Sequence, residues 1–297
     1  MTTIADQMKQ SAWFDQASYP FTARYFDHPD GQMHYVDEGE GEVLVFVHGT
    51  PSWSYLYRQL IRHFSHSYRC ISLDHLGFGL SEKPQALAGK PRDHSRRLEA
   101  LLDHLNIESC TLVVHDFGGP IGLSWALRQP ERIEKLVLFN TWLWSLEENK
   151  TVVQADRIIR SALGRFLYLR MNASPRLLLP QGFANKSHLT KALHRHYLKV
   201  VPSATERFGL LRLGESLLGE AAWYETQWAQ RENLAGLPIA FLWGEQDRFF
   251  GLDELNKWQS AFPQAETHTF KAGHFLQEEC PEEIIAVLSP FLEKERL

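Results

Sequence analysis

Three side chains in this 297-residue sequence could together break a bond at carbon: Asp116, Asp247 and His274. Asp116 lies in Leu112-Val113-Val114-His115-Asp116-Phe117-Gly118-Gly119-Pro120-Ile121-Gly122-Leu123, where an apolar run ends in a polar pair, two glycines make a turn and a helical pattern begins. A strand-to-helix turn this sharp lifts one side chain above the sheet edge and aims the first N–H groups of the helix at whatever binds there. A serine so placed would need a base before it could attack; an aspartate, with an ordinary pKa of about 3.9, is already an anion at neutral pH. It can attack an electrophilic carbon directly, but the product is an ester that another group must cleave. An Asp that merely caps the helix of a βα turn fits the same stretch taken alone. The difference lies in whether the rest of the chain supplies a water-activating base.

The elements that would position such a base follow from hydrophobic patterning. From Phe21 the order is strand, turn, strand: residues 22–27, the turn His28-Pro29-Asp30-Gly31, then 33–37. Residues 43–47 form a continuous apolar run of the kind a parallel sheet buries on both faces, ending at His48-Gly49-Thr50-Pro51. A helix through Leu60, a strand over 69–73 and the tight loop Asp74-His75-Leu76-Gly77-Phe78-Gly79-Leu80-Ser81 come next. The spacing then predicts a helix over 94–105, the strand 111–114, a helix over 120–127 and a buried strand over 136–139. After Asn140 the alternation stops. From about 141 to 223 the chain is rich in Leu, Arg and aromatic residues at helical spacing, with Pro175, Pro180 and Pro202 breaking it into segments. A strand over 238–243, a helix over 252–262, a strand over 266–270 and a helix from Pro281 complete the pattern. The predicted architecture is α/β: a mainly parallel eight-stranded sheet with helices on both faces, a core over 1–140 and 224–297, and a helical cap over 141–223.

Ligands of open α/β sheets bind beyond the carboxyl ends of the strands. Thr50 follows the strand 43–47, Asp116 the strand 111–114, Asp247 the strand 238–243, and Ala272-Gly273-His274-Phe275 the strand 266–270. His274 is thus the candidate base and Asp247 the carboxylate that fixes its tautomer. Any one of fourteen histidines is more often surface or core than catalytic. Three candidate groups in this order, each at a strand end, point to one site.

Composition narrows the partners. The length allows one large or two smaller domains, and a hydrophobic fraction of 44% fills a core without difficulty. A net charge of -5 gives no basic footprint, so neither nucleic acid nor an anionic membrane is an expected partner; the expected ligands, a hydrophobic small molecule and water, follow instead from the apolar residues of the cap. Met1 to Gln10 is polar, with Asp6 and Lys9, unlike the apolar part of a secretory signal. No apolar run approaches the roughly 20 residues that cross a bilayer. Cys70, Cys110 and Cys280 are odd in number and lack metal-ligand spacing, which fits free thiols in the cytoplasm; chemistry carried by an aspartate, a histidine and water requires no metal or organic cofactor.

The blocks His48 through Arg58, Asp74 through Ser81, His115 through Gly119 and Ala272 through Glu278 resemble the α/β-hydrolases of the haloalkane dehalogenase type, with epoxide hydrolases as near relatives. The likeness runs from about Tyr19 onward and is weakest in the cap. It implies Asp116 as nucleophile, His274 as base, Asp247 as its partner, and the backbone N–H groups of Thr50 and Phe117 as oxyanion hole. Asn140 stands where one branch of the family has a Glu acid and cannot ionise, which leaves that role to Asp247; Val114 stands two before the nucleophile, where Gly also occurs. The resemblance further implies that Asp116 attacks an sp³ carbon, and that His274 then activates water to cleave the alkyl ester.

Two departures bear on the leaving group. The dehalogenases hold the halide with an indole N–H directly after the nucleophile and a second donor from the first loop or the lid. Here those positions are Phe117, which has no donor, and Thr50. Trp142, Trp144, Trp223 and Trp228 are candidate replacements, with packing of cap against core as the other reading of each; Trp53 reads as packing. An epoxide would instead need acidic hydroxyls from the cap, for which Tyr168, Tyr197 and Tyr224 are available. A strained lactone would use the same three groups, and a receptor built on this fold would not need them. The cap interior should be apolar, from Leu163, Phe166, Leu167, Leu177, Leu178 and Leu179.

Overall fold

A computed structural model describes residues 11–87 and 89–294, so the polar stretch Met1 to Gln10, set apart from a secretory signal by its composition, lies outside the described residues. Eight strands, β1 (Arg24–His28), β2 (Gly31–Glu38), β3 (Val43–Val47), β4 (Arg69–Leu73), β5 (Cys110–His115), β6 (Ile133–Phe139), β7 (Ile239–Gly244) and β8 (Glu266–Phe270), form one sheet. Their order is β1-β2-β4-β3-β5-β6-β7-β8. The β1–β2 hairpin is antiparallel, β2 runs antiparallel to β4, and every pair from β4 to β8 is parallel. Each strand predicted from the sequence is present, within one or two residues except that β6 begins three residues earlier. All six residues of β5 are buried, which requires cover on both faces and explains why its sequence shows no alternation.

The cover comes from helices between strands, α1 (Arg58–Phe64), α2 (Pro91–His104), α3 (Gly118–Arg128) and later α9 (Leu252–Ala261), and from two that follow β8, a short α10 (Leu276–Glu279) and α11 (Pro281–Glu293). α2 packs on α3 and α11 on α1. α2 begins with Pro91, whose missing N–H costs nothing at that position, and carries Asp93 in its first turn and His104 in its last, each matched to the helix dipole.

Between β6 and β7 the chain is helical: α4 (Lys150–Arg160), α5 (Ala162–Met171), a π turn (Ser174–Leu178), a 3₁₀ turn (Leu179–Gly182), α6 (Lys191–Lys199), α7 (Phe208–Gly219) and α8 (Ala221–Ala229). Prolines do not make all of its breaks. Asn149 caps α4 by accepting from the N–H groups of Thr151 and Val152, Ser161 caps α5 at Gly164, and α5 stops at Asn172, which takes the left-handed conformation (φ +53°). Pro175 and Pro180 instead sit inside the two irregular turns. α8 runs across residue 223 and packs on α3 of the core. Among the described residues no helix is long and apolar enough to cross a membrane. The three cysteines are free; Cys70 and Cys110 are buried.

Candidate active site

β5 delivers Asp116 at the bend before α3, in the left-handed region (φ +53°) that non-glycine residues seldom occupy. Local bonds hold it there: its N–H donates to the Asn140 carbonyl at 3.2 Å, and its carbonyl accepts from the Thr141 hydroxyl and from the Gly119 N–H. Two glycines make the close approach possible. A Cβ on Gly118 would lie 2.0 Å from the Val47 carbonyl oxygen, and one on Gly49 would lie 2.0 Å from Asp116 Oδ1. The loop after β3 therefore comes close enough for the Thr50 N–H to donate to Asp116 Oδ1 at 2.8 Å. That loop is anchored from below by buried Asp74, which accepts from the Ser54 N–H at 2.7 Å, from the Leu80 N–H at 2.8 Å and from His34 Nδ1.

The second oxygen of Asp116, Oδ2, faces His274 Nε2 at 3.4 Å, and His274 Nδ1 donates to Asp247 Oδ2 at 2.8 Å. All three side chains are nearly or fully buried. Burial alone would lower the His274 pKa. The Asp247 charge, the hydrogen bonds to Asp116 and Asp247 and the Asp116 charge outweigh it, and the imidazole is pushed up to about 10.

Three residues hold this arrangement in ways the sequence did not reveal. Asn140 donates to Asp247 Oδ2 at 2.8 Å and to the Phe250 carbonyl at 3.0 Å, and accepts from the Gly244 N–H at 2.8 Å. Asn140, which cannot itself ionise, thus holds the carboxylate expected to act in its place. His115 donates from Nε2 to the His274 carbonyl at 2.8 Å. Glu279 accepts from the N–H groups of Gly273 at 2.7 Å, Asn185 at 2.8 Å and Ala184 at 3.2 Å, while the His274 N–H donates to the Gly182 carbonyl at 2.6 Å. The loop carrying His274 is therefore clamped to the helical segment. Glu279 stands five residues after His274, but two of its partners are 94 and 95 residues away, a separation no spacing rule spans.

A cavity of about 830 Å³ opens over these groups, lined by Thr50, Asp116, Phe117 and His274 from below and by residues such as Tyr168 and Leu179 from the helical segment. A hollow of about 1070 Å³ at the opposite edge of the sheet, beside Arg69, Asn106 and Lys135, contains none of this chemistry. None of the four candidate tryptophans lines the cavity, but Trp142 lies directly behind its wall: its ring meets Phe117 edge-on at 4.8 Å and stacks on Phe250, and its buried indole N–H has no partner among the described residues. The buried Thr50 hydroxyl is likewise unpaired. The expectation for the others is corrected. Trp144 and Trp228 pack on each other and on Trp258, and Trp223 lies beside Tyr224 and Arg92; none of the three lines the cavity. Among the tyrosines, Tyr197 donates to Glu278 at 2.5 Å and Tyr224 to the Ser216 carbonyl at 3.3 Å, both away from the cavity. Tyr168 does line it, beside Ser174, with its hydroxyl raised to about 12 mainly by burial. Leu178 and Leu179 face the cavity as expected, but Leu163, Phe166 and Leu177 face solvent.

Comparison with known proteins agrees with the geometry. A family model described as alpha/beta hydrolase fold matches residues 42–281. The chain is 35% identical to a cis-3-alkyl-4-alkyloxetan-2-one decarboxylase of Shewanella oneidensis, over 92% of this chain and 89% of the relative. It is 33% identical to haloalkane dehalogenase 2 of Mycobacterium tuberculosis, over 92% of this chain and 96% of the relative. A crystal structure of a haloalkane dehalogenase from Agrobacterium tumefaciens superposes with a TM-score of 0.82 at 26% identity, covering 91% of this chain and 96% of that one. With sheet order, elbow and matched span in agreement, the chain belongs to the α/β-hydrolase family, in its haloalkane dehalogenase-like branch.

Proposed function

We propose that this protein is a cytoplasmic hydrolase that displaces halide from an sp³ carbon of a hydrophobic substrate through a covalent ester on Asp116, beneath a cap formed by α4 to α7. The observation that carries the reading is the division of labour at one carboxylate, with Oδ1 held by the Thr50 N–H at 2.8 Å and Oδ2 open toward His274 at 3.4 Å. Oδ2 attacks the carbon, the C–halogen electron pair leaves with the halide, and Oδ1 becomes the ester carbonyl. The Asp247 charge does most to keep His274 protonated, and the Asp116 hydrogen bond and charge add to it; alkylation removes the Asp116 share, so the imidazole gives up its proton more readily and becomes a base when water must be activated. Water adds to the ester carbonyl and gives its proton to His274. The N–H groups of Thr50 and Phe117 hold the oxyanion, each worth roughly 2.7–4 kcal/mol. Collapse releases the alcohol, which takes that proton, and the water's second proton, left on the Asp116 carboxyl, passes to His274 and restores the carboxylate and the imidazolium. The unpaired buried donors, Trp142 Nε1 and Thr50 Oγ1, serve the halide in place of the indole that Phe117 lacks.

A second reading has an oxygen leaving group, and one observation favours it: Tyr168 and Ser174, both of which carry hydroxyls, line the cavity. Opening a strained four-membered lactone at its alkoxy carbon would leave a carboxylate that these hydroxyls can receive, and a relative at 35% identity is named for such a ring. An epoxide finds only Tyr168 of the three candidate acids at the cavity. A receptor role leaves the buried Asp116, His274 and Asp247 array without a purpose.

The test compares halide release from 1-bromo and 1-iodo alkanes, carbon dioxide release from a 3,4-dialkyl β-lactone and diol formation from styrene oxide, with Asp116→Ala as control. Halide release that vanishes in the control supports the first reading. Trp142→Phe should then slow it about ten- to a hundredfold, the loss of one hydrogen bond to an ion. Activity on the lactone alone, lost in Tyr168→Phe, transfers the assignment to the second. His274→Phe should accumulate an adduct on Asp116 in intact-mass spectra; turnover by the wild type with no adduct in the variant would refute the covalent scheme.

A further inference from the structure

The helices over the cavity have a second face. Leu163, Phe166 and Leu177, expected inside the pocket, are 64%, 54% and 51% exposed, and Ile158 and Met171 join them at 51% and 45%. These are five of the six large apolar side chains found exposed among the described residues; the sixth, Leu252, is at the cavity rim. The geometry of α5 shows why Phe166 cannot turn inward. Gly164 and Tyr168 face the protein, and a Cβ on Gly164 would lie 1.8 Å from the Ile158 carbonyl oxygen, so this side of the helix is fixed against α4. Phe166, midway between them in sequence, lies about 180° around the helix.

The same stretch is basic. Residues 150–177 carry Lys150, Arg157, Arg160, Arg165, Arg170 and Arg176 against the single acid Asp156, a local charge of +5 in a chain whose total is -5. Arg160 pairs with Asp156 and Arg165 with Glu215. Arg157, Arg170 and Arg176 are exposed with no acidic partner among the described residues.

We infer that this outer face docks the protein on an anionic lipid surface, with Arg157, Arg170 and Arg176 at the headgroups and Ile158, Leu163, Phe166 and Leu177 among the first acyl carbons. Aliphatic and aromatic side chains interleaved with unpaired guanidinium groups match the layered chemistry of a bilayer, apolar beneath anionic. A nucleic acid would use the arginines but not the apolar side chains. The total charge conceals this face because the compensating acids lie elsewhere in the chain. Docking would also bring the cavity, lined by Val152, Ile159 and Tyr168 of the same helices, to within about one helix diameter, ~10 Å, of the phase in which apolar substrates dissolve. Docking of this kind does not depend on the identity of the leaving group.

The full-length chain should co-sediment with vesicles of phosphatidylcholine containing roughly one-third phosphatidylglycerol, far less with phosphatidylcholine alone, and less as salt rises. Arg157→Gln, Arg170→Gln and Arg176→Gln together should weaken binding about a hundredfold, at about fivefold for each arginine. Leu163→Ser with Phe166→Ser should weaken it at least about tenfold while leaving melting temperature and turnover of a soluble substrate without vesicles unchanged. Equal binding to both vesicle types, or a Leu163→Ser/Phe166→Ser variant that binds like the wild type, overturns the inference. So does light scattering that shows a dimer dissolved by that variant with no vesicle binding, which would make the face a contact with a second copy.

Discussion

Replacing Glu279 with Ala should separate the two chemical steps. Glu279 touches neither Asp116 nor His274, yet its carboxylate accepts the N–H of Gly273, the residue before the base, and those of Ala184 and Asn185 in the helical segment. The Gly273 N–H is buried and would lose its acceptor outright, at about 1–3 kcal/mol; the other two are part-buried, so water recovers most of their loss. The sum is roughly 2–4 kcal/mol. With an unfolding entropy of about 2.1 cal/mol/K per residue, the melting temperature should fall by about 3–6 °C. The kinetic effect is more selective. A base displaced by about 1 Å loses on the order of a hundredfold, whereas attack by Asp116 needs no base. Alkylation, followed as the halide burst, should therefore be within about threefold of wild type, while ester hydrolysis slows ten- to a hundredfold and the adduct on Asp116 becomes visible by intact mass. Glu279→Gln, which keeps one acceptor oxygen, should lie between the two. A variant that melts early but hydrolyses its ester at the wild-type rate, or one that slows both steps equally, would refute the claim that the clamp positions His274.

Other perturbations give distinct outcomes. Asn140→Leu removes the donor to Asp247 and strands the Gly244 N–H, so a loss of roughly 3–5 kcal/mol and slow ester hydrolysis are expected from urea unfolding and single-turnover kinetics; a stable, fully active variant would contradict this. Since the Asp116 charge contributes to holding the free-enzyme His274 near 10, the ester form must titrate lower, and hydrolysis of the trapped ester should reach half its maximum rate below pH 10; a midpoint at or above that value would contradict the switch. Acid should unfold the protein steeply. Burial holds His75, His94 and His115 well below their ordinary value, so below about 6.5 the unfolded chain binds protons the folded chain does not. The stability these three contribute is then full above about pH 6.5 and falls below it by about 1.4 kcal/mol per pH unit for each, whereas His274, raised to about 10, adds stability that is lost as pH climbs from about 6.5 toward 10; an uptake of less than one proton on urea unfolding at pH 5.5 would rule this out.

The fold was legible in the sequence because strand ends in an α/β sheet are marked locally. The run ending at Val47, the apolar stretch before Asp116 and the Gly-His turn at 273–274 each announce a strand and the loop at its carboxyl end, and ligand sites gather at those ends. The helical segment was legible only as helical. Its spacing located apolar residues but not the direction they face, since rotation of α5 is set by contact between Gly164 and the Ile158 backbone, a tertiary fact.

The chain alone therefore determined the chemistry available: an aspartate at the bend after β5, an imidazole near the chain's end, and a carboxylate at Asp247 to orient it. The folded structure decided which of the candidate donors lie beside the cavity and which apolar side chains turn away from it. Trp142 and Trp144 are two residues apart, yet one abuts Phe117 and the other packs on Trp258. Local pattern fixes an element's type and period, but the partner of each side chain depends on residues far along the chain, and only close packing selects among them.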